Sequence, residues 1–356
     1  MRKGEVKARY YNPENLFDEV HFLSFAESDV DPKKIQKTVG TAKAVIHTLG
    51  RLGVRNLKAQ GRRVKEALQK IRPDAVRSFT SGPKGRLAAE AAQVLGVPFV
   101  LSLHSNFDDL RDLAKKQGRL GEYARLLFSK VYAEGKTISS ADAVIAAYPF
   151  IVPYAKKFGA KHVEVIYNKV YLEDFKGKKP AVPRDARTVI CVGRLIPEKD
   201  PTPIVQAAAK VGVRLILVGD GPLRPKIVEA AEKSGCQLVY RDAVPNDELP
   251  GYYASADVYA QNLSIGGVSI PTLEAMAAGL PVVVSAPKKY PRPDLVAKVG
   301  VVVEGSENGF AHAFSELFSD AARRKNLGQK ARKKLQEING NNMEAREALV
   351  YRRLLA

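Results

Sequence analysis

Apolar residues along this chain fall into two patterns. Short continuous runs predict strands buried on both faces, and stretches with apolar positions three or four apart predict amphipathic helices. Residues 20–25, VHFLSF, predict a strand, KTVGTAKAVIHTLGRL and LKAQGRRVKEALQKI predict helices, and DAVRSF predicts a short strand. GPKGRLAAEAAQVLG predicts a helix ended by Gly96, followed by a strand PFVLSLH, a helix GEYARLLFSKVYAEGKTISSA and a strand DAVIAAY. A short helix PFIVPYAKKFG and a strand HVEVIY come next. YLEDFKGKKPAVPRDA, rich in Lys, Pro and charge, reads as a linker. The alternation then restarts with strands RTVICVG, VRLILVG, QLVY, DVYAQN, PVVVSA and VGVVVE and with helices between them. Two helices close the chain, FAHAFSELFSDAARRKNLGQKARKKLQEI, broken near Asp320, and MEAREALVYRRLL. Such alternation indicates an α/β fold of two doubly wound domains in tandem, each with a parallel sheet covered by helices. Ligands of such sheets sit outside the carboxyl ends of the strands, and the cleft between two such domains is the expected binding place.

Several chemically capable residues fall at those strand ends. In GGVSIPTLEAMAAG, residues 266–279, Ser269 is placed to cap a helix and Pro271 suits its first turn. Gly279 ends that helix. A strand, a glycine turn and a helix N-terminus can bind an anion, and they can equally be an ordinary connection. CVGRLIPEKD carries Arg194 and Lys199 after a strand, a planar fork and a point charge suited to a diphosphate. LVGDGPLR puts Asp220 and Gly221 at the next strand end, and LSLHS puts His104 at one in the first half.

Composition narrows the class. The chain has 356 residues, 45% hydrophobic and 27% charged, enough for two globular domains. It has no apolar run long enough to span a membrane, and its basic N-terminus lacks the apolar stretch of a signal peptide. Cys191 and Cys236 lie in or beside apolar runs and read as buried thiols of a reducing cytoplasm. Five scattered His and two Cys show no metal-ligand spacing. The net charge of +19 is uneven: residues 1–180 hold 33 Lys/Arg against 19 Asp/Glu. That half should attract nucleic acid, acidic lipid headgroups or a phosphorylated substrate, or it is simply a lysine-rich solvated surface. No zinc finger, RNP or KH pattern supports nucleic acid.

Taken together, VGRLIPEKD, LVGDGPLR, VPNDELPGYYASADVY and GGVSIPTLEAMAAGLPVV resemble, in order and spacing, the nucleotide-binding domain of retaining glycosyltransferases of family 4, which have the GT-B fold of two Rossmann-like domains facing a cleft. PDAVRSF, GVPFVLSLHS, ADAVIAAYP and VEVIYNKVYLEDF resemble the acceptor-side domain. The resemblance implies an acceptor-side domain at 1–172 completed by a C-terminal helix at 342–356, a linker at 173–185 and a nucleotide-sugar domain at 186–341. It implies transfer of a sugar from a nucleotide-diphosphate sugar with retention, without a cofactor or metal. Arg194 and Lys199 would hold the diphosphate and stabilise the departing charge. Glu274 would bond the ribose hydroxyls. Gly193, Asp220 and Gly221 would belong to the donor site, with backbone N–H groups near Gly266, Gly267, Val268, Ser269 and Ile270 on the sugar and phosphate. His104 would line the junction near sugar and acceptor.

Three positions depart from the family pattern. Gly266 stands where an acid normally contacts the transferred sugar, Lys169 replaces the turn glycine after Asn168, and the usual opening strand with its glycine loop is missing at MRKGEV, so that either the true start lies upstream of Met1 or the first domain lacks its first strand. The leading expectation is therefore a cytoplasmic, membrane-associated glycosyltransferase acting on a cell-envelope polysaccharide or a lipid-linked acceptor. The alternatives are a catalytically silent relative that binds a nucleotide or partner, and a sugar-nucleotide epimerase, for which no positive feature exists. The basic stretch TAKAVIHTLGRLGVRNLKAQGRRVKEALQK is either a face for an anionic membrane or two covering helices.

Overall fold

The computed structural model describes residues 7–26, 31–264, 267–286 and 295–356. They form two compact units: residues 7–169 with Asn341–Ala356, and Val170–Gly340.

In the first unit, β1 (Glu19–Ser24) pairs in parallel with β2 (Lys43–Thr48), Phe22 opposite Ile46. Helix α1 (Leu57–Ile71) follows, then β3 (Val76–Ser78), α2 (Pro83–Leu95), β4 (Phe99–Leu103), α3 (Phe107–Lys116) and α4 (Leu120–Ser129). The last of these continues through a π-helical turn, Lys130–Glu134, into α5 (Gly135–Ser139). Strand β5 (Ala143–Ala146), α6 (Val152–Lys157) and β6 (Val163–Val165) complete the run. Strands β3, β4, β5 and β6 lie in sequential order in one parallel sheet, with β4 and β5 buried throughout. Among the described residues β1 bonds only to β2, and β3 only to β4. Aromatic rings link the two sheets: Tyr11 meets Phe22 edge-on at 5.0 Å and Phe79 at 5.3 Å.

One predicted element is corrected here. KTVGTAKAVIHTLGRL is not a helix: residues 32–39 form a 3₁₀ segment and residues 43–48 are β2. Gly40, at φ +65°, ends the segment where a Cβ would fall 2.0 Å from Asn15 Oδ1. Beyond it the β-branched Val45, Ile46 and Thr48 favour the strand. Helix α3 escaped the sequence reading because its span, FDDLRDLAKK, is strongly polar; Asn106 caps it by accepting from Asp108 N.

The second unit runs β7 (Thr188–Val192), α7 (Thr202–Val211), β8 (Arg214–Val218), α8 (Arg224–Ser234), β9 (Leu238–Arg241), α9 (Leu249–Ala254), β10 (Val258–Gln261), α10 (Ile270–Ala277), β11 (Val282–Ser285), β12 (Val301–Val303), α11 (Glu307–Ser319) and α12 (Ala321–Glu337). Asp320 separates the last two and caps the second, accepting from Arg323 N. Helix α13 (Gly340–Leu355) then carries the chain's final residues to the first unit. The parallel sheet of the second unit has the order β12-β11-β10-β7-β8-β9, so the direction of winding reverses between β7 and β10. That reversal opens a crevice at the carboxyl ends of the two strands, the usual ligand position of doubly wound sheets. Val189, Leu215, Leu217, Val258 and Ala260 pack with Ile204, Val205, Ile227, Phe310 and Phe314 into one core. Burial on both faces explains why these strands read as continuous apolar runs.

Candidate functional site

The crevice of the second unit is built from three loops held edge to edge. After β7, Gly193 N donates to Val218 O at 3.0 Å and Leu195 N to Asp220 O at 3.0 Å. This zipper brings backbones so close that a side chain has no room: a Cβ on Gly219 (φ +150°) would lie 1.9 Å from Gly193 O, and one on Gly221 (φ +157°) 2.4 Å from Leu195 O. Asp220 is therefore carried on a bare backbone arm, its carboxylate accepting from Gly221 N at 2.8 Å. Arg194 is exposed on the neighbouring arm. Lys199 is half-buried, and its Cδ would lie 3.8 Å from a Cβ on Gly193.

The third loop leads into α10. Ser269 caps that helix, its hydroxyl accepting from Thr272 N at 3.3 Å. Its own hydroxyl hydrogen goes to Gln261 Oε1, while Gln261 Nε2 donates to Val192 O at 3.3 Å. Gln261 thus locks the start of α10 to the end of β7. With Pro271 in its first turn, the helix presents its N-terminal dipole and N–H groups to the crevice. Gly267 is described at φ +116°, and Val268 is buried beside it. Gly266 lies outside the described residues. Glu274 is buried one turn into α10, where Tyr253 Oη donates to Oε2 at 3.1 Å. Burial, then the Glu274 charge, raises the Tyr253 phenol well above its ordinary value, so it stays a donor to that carboxylate. Gln261 and Tyr253 were missed in the sequence. DVYAQN read only as a strand, and GYYASA fell within a motif of the family resemblance that assigned neither side chain a role.

The first unit has its own strand-end pocket. His104 follows β4, stacked on Phe79 at 6.0 Å, and its Nε2 is buried with no hydrogen-bond partner. Arg77, from β3, donates from Nε to Ser102 Oγ at 3.0 Å and pairs with Glu347 of α13. Lys169 pairs with the same carboxylate at 3.1 Å. All three charged side chains are at most 15% exposed, so two cations share one buried carboxylate. Burial works against the Glu347 charge, but Arg77 and Lys169 outweigh it and hold the carboxyl below its usual range. The turn substitution at Lys169 is thus a packed ionic contact rather than an exposed lysine. Neighbouring Asn168 donates to Tyr148 Oη at 2.7 Å.

Burial, reinforced by the Arg77 charge, depresses His104 to about 4. The imidazole is neutral near pH 7 and offers a hydrogen bond, not a charge. Its folded value lies below the ordinary 6.5, so its share of stability is present above pH 6.5 and lost as pH falls towards 4. We expect urea unfolding to show a loss of ~2–3 kcal/mol across that window that is absent in His104→Gln. Equal pH slopes in the two proteins would contradict the neutral assignment.

The cysteines differ from each other: Cys191 is buried and pushed up to about 12, whereas Cys236 is partly exposed and pushed up by burial to about 11. Among the described residues no three His, Cys, Asp or Glu side chains group as metal ligands.

Comparison with known proteins gives this arrangement a class. The sequence model for Glycosyltransferase Family 4 matches residues 15–174, and that for Glycosyl transferases group 1 matches residues 173–334. The chain belongs to the group 1, family 4 glycosyltransferases. It is 32% identical over 160 residues to a GDP-mannose-dependent alpha-(1-6)-phosphatidylinositol monomannoside mannosyltransferase of Mycobacterium tuberculosis, a match spanning 41% of this chain and 42% of that protein. It is 28% identical to the lipopolysaccharide core biosynthesis glycosyltransferase LpsE of Rhizobium meliloti, over 62% of this chain and 65% of that one. The matched segments thus span under two thirds of these relatives. Anabaena Alr3699/HepE in complex with UDP-glucose shares the fold, with a TM-score of 0.74 at 16% identity over 98% of this chain and 96% of that one. The two-domain architecture with parallel sheets is that of GT-B glycosyltransferases.

Proposed function

We propose that this chain is a retaining, metal-independent glycosyltransferase that moves a sugar from a nucleotide-diphosphate sugar to a cell-envelope polysaccharide or lipid-linked acceptor, working from the cytoplasmic side at the membrane surface. The observation that carries this reading is the crevice at the strand reversal of the second unit. There the zipped arms of Gly193–Leu195 and Gly219–Gly221 and the capped start of α10 converge through Gln261. An exposed guanidinium, an ammonium and a helix N-terminus on one face suit a diphosphate.

In this reading Arg194 and Lys199 neutralise the charge that develops on the leaving diphosphate, and the first turn of α10 adds its dipole. Glu274, oriented by the Tyr253 hydroxyl, accepts from the ribose hydroxyls. The neutral His104 serves the acceptor-side unit as a hydrogen-bonding group. No side chain is assigned as a nucleophile; the leaving phosphate takes up the acceptor proton. The relatives support the acceptor class, since the mycobacterial protein is named for phosphatidylinositol mannoside and LpsE for lipopolysaccharide core.

Calorimetric titration with a panel of uridine and guanosine diphosphate sugars tests the proposal. One donor should bind, with Glu274→Ala weakening it about 10- to 100-fold through loss of charge-assisted hydrogen bonds. NMR of the product should show the donor's anomeric configuration. Donor binding with no product from any acceptor would favour the silent relative instead, and no binding at all would sink both.

A further inference from the structure

Two histidines that the proposed reaction does not use meet across the β1–β2 pair. His21 Nδ1 lies 2.9 Å from His47 Nε2, with the rings 13° from parallel and their centroids 5.2 Å apart. Nitrogens that close belong to rings meeting edge to edge, through one N–H···N bond, rather than face to face. The far nitrogen of His21, Nε2, faces Glu19 Oε2 at 2.9 Å, and Lys43 Nζ pairs with Glu19 Oε1 at 3.1 Å. An ammonium, a carboxylate and two imidazoles thus form a row over the two strands.

Such a row has a fixed capacity for protons. With both imidazoles neutral, His47 Nε2–H donates to His21 Nδ1, and His21 Nε2–H donates to Glu19. One more proton is accommodated. His21 then donates from both nitrogens, to Glu19 and to His47, whose own hydrogen sits on Nδ1. A second proton is not accommodated. Both facing nitrogens would carry hydrogens, the bond would be lost, and two positive rings would stand in contact. Hydrogen bonds from His21 and Lys43 hold the Glu19 carboxyl below its usual range, so it stays charged while the imidazoles titrate. Burial, then the His21 charge, lowers His47 below its ordinary 6.5. The neighbouring elements bring their charges elsewhere. The 3₁₀ segment packs Ile35 and Val39 with Val20 and Phe22 on the opposite face, its Lys33, Lys34 and Lys37 exposed. Arg63 of α1 donates to Leu49 O at 3.0 Å.

The strands that carry this row are lightly anchored. Among the described residues β1 bonds only to β2. Their apolar face rests on the small cluster of Ile35, Val39, Ala42 and Ala44 and on Tyr11, whereas β4 and β5 are buried throughout. One-sided pairing over a small core is what a locally opening element has. We infer that the histidine pair is an acid-released clasp: a second proton splits His21 from His47 and lets the β1–β2 layer open while the β3–β6 sheet stays folded. The folded value of His47 lies below the unfolded one, so the contribution of the clasp is whole above pH 6.5 and is lost as the pH falls below it. Tyr11, which covers Phe22 of β1, also meets Phe79, the ring stacked on His104. Opening therefore loosens a support of the strand-end pocket.

The clasp needs neither donor nor acceptor for its test. Amide hydrogen exchange of the full chain, read by mass spectrometry and corrected for intrinsic rates, compares pH about 7.5 with pH about 5. Protection over residues 19–24 and 43–48 should fall at least about tenfold relative to residues 99–103 of β4. The β4 amides report any global loss, the titration of His104 included. His47→Gln can donate or accept at the same place without titrating, and it should remove the fall. Nitrogen NMR of the unaltered chain gives a second reading if that variant does not fold: the pair should take up its two protons in separated steps. An equal loss in β4, an undiminished fall in His47→Gln, or both imidazoles titrating together would overturn the inference.

Discussion

Arg194→Ala should lower turnover about 100- to 1,000-fold, the usual consequence of removing one preorganised donor from a developing negative charge. The side chain is exposed on an arm whose shape is set by backbone bonds, so its loss should leave stability within about 0.5 kcal/mol. Folding and catalysis are therefore separable at this residue. Arg194→Lys keeps a charge but not the planar fork and should recover only part of the rate. If Arg194→Ala keeps turnover within about threefold, the diphosphate does not lie against this arm, and the proposed leaving-group role fails.

The second large effect is on stability. Glu347→Gln should destabilise the first unit by ~3–5 kcal/mol, because it leaves Arg77 and Lys169 buried without their shared carboxylate. The nearby Glu344 is committed to Arg9 at 2.7 Å and to Glu14 N at 2.7 Å. Removing one cation as well should return part of the loss. Lys169→Met added to Glu347→Gln should be more stable than Glu347→Gln alone, and the cycle of single and double variants measures the coupling. Urea unfolding reads both. Additive losses would show that the three side chains do not act as one cluster.

These two sites differ in how far the chain itself displays them. The crevice of the second unit was visible because its parts lie in contiguous segments: a strand, then a glycine, then a charge. Close backbone approach at Gly219 and Gly221 and the cap at Ser269 are local requirements with local signatures. Gln261 and Tyr253 carry no such signature, since each acts through a partner brought near only by the fold. The Arg77, Lys169 and Glu347 cluster is less visible still. Its members lie on β3, after β6 and on α13, and any one of them reads as a surface charge. The misread of residues 43–48 has a similar cause. A helical spacing of apolar positions and a short β-branched run coincide there, and only Gly40, at positive φ, breaks the tie.

Glu344 and Glu347 come from the last sixteen residues, yet the cations they neutralise come from the first half. A ribosome delivers Arg9, Arg77 and Lys169 long before it delivers those carboxylates. The amino-terminal unit must therefore wait, with its cations still hydrated, while the whole second unit is synthesised. Its final closure follows synthesis of the second unit, unlike the ordinary case in which an amino-terminal domain completes itself as it emerges. A released chain truncated after residue 340 should carry a second unit that is further matured than the first.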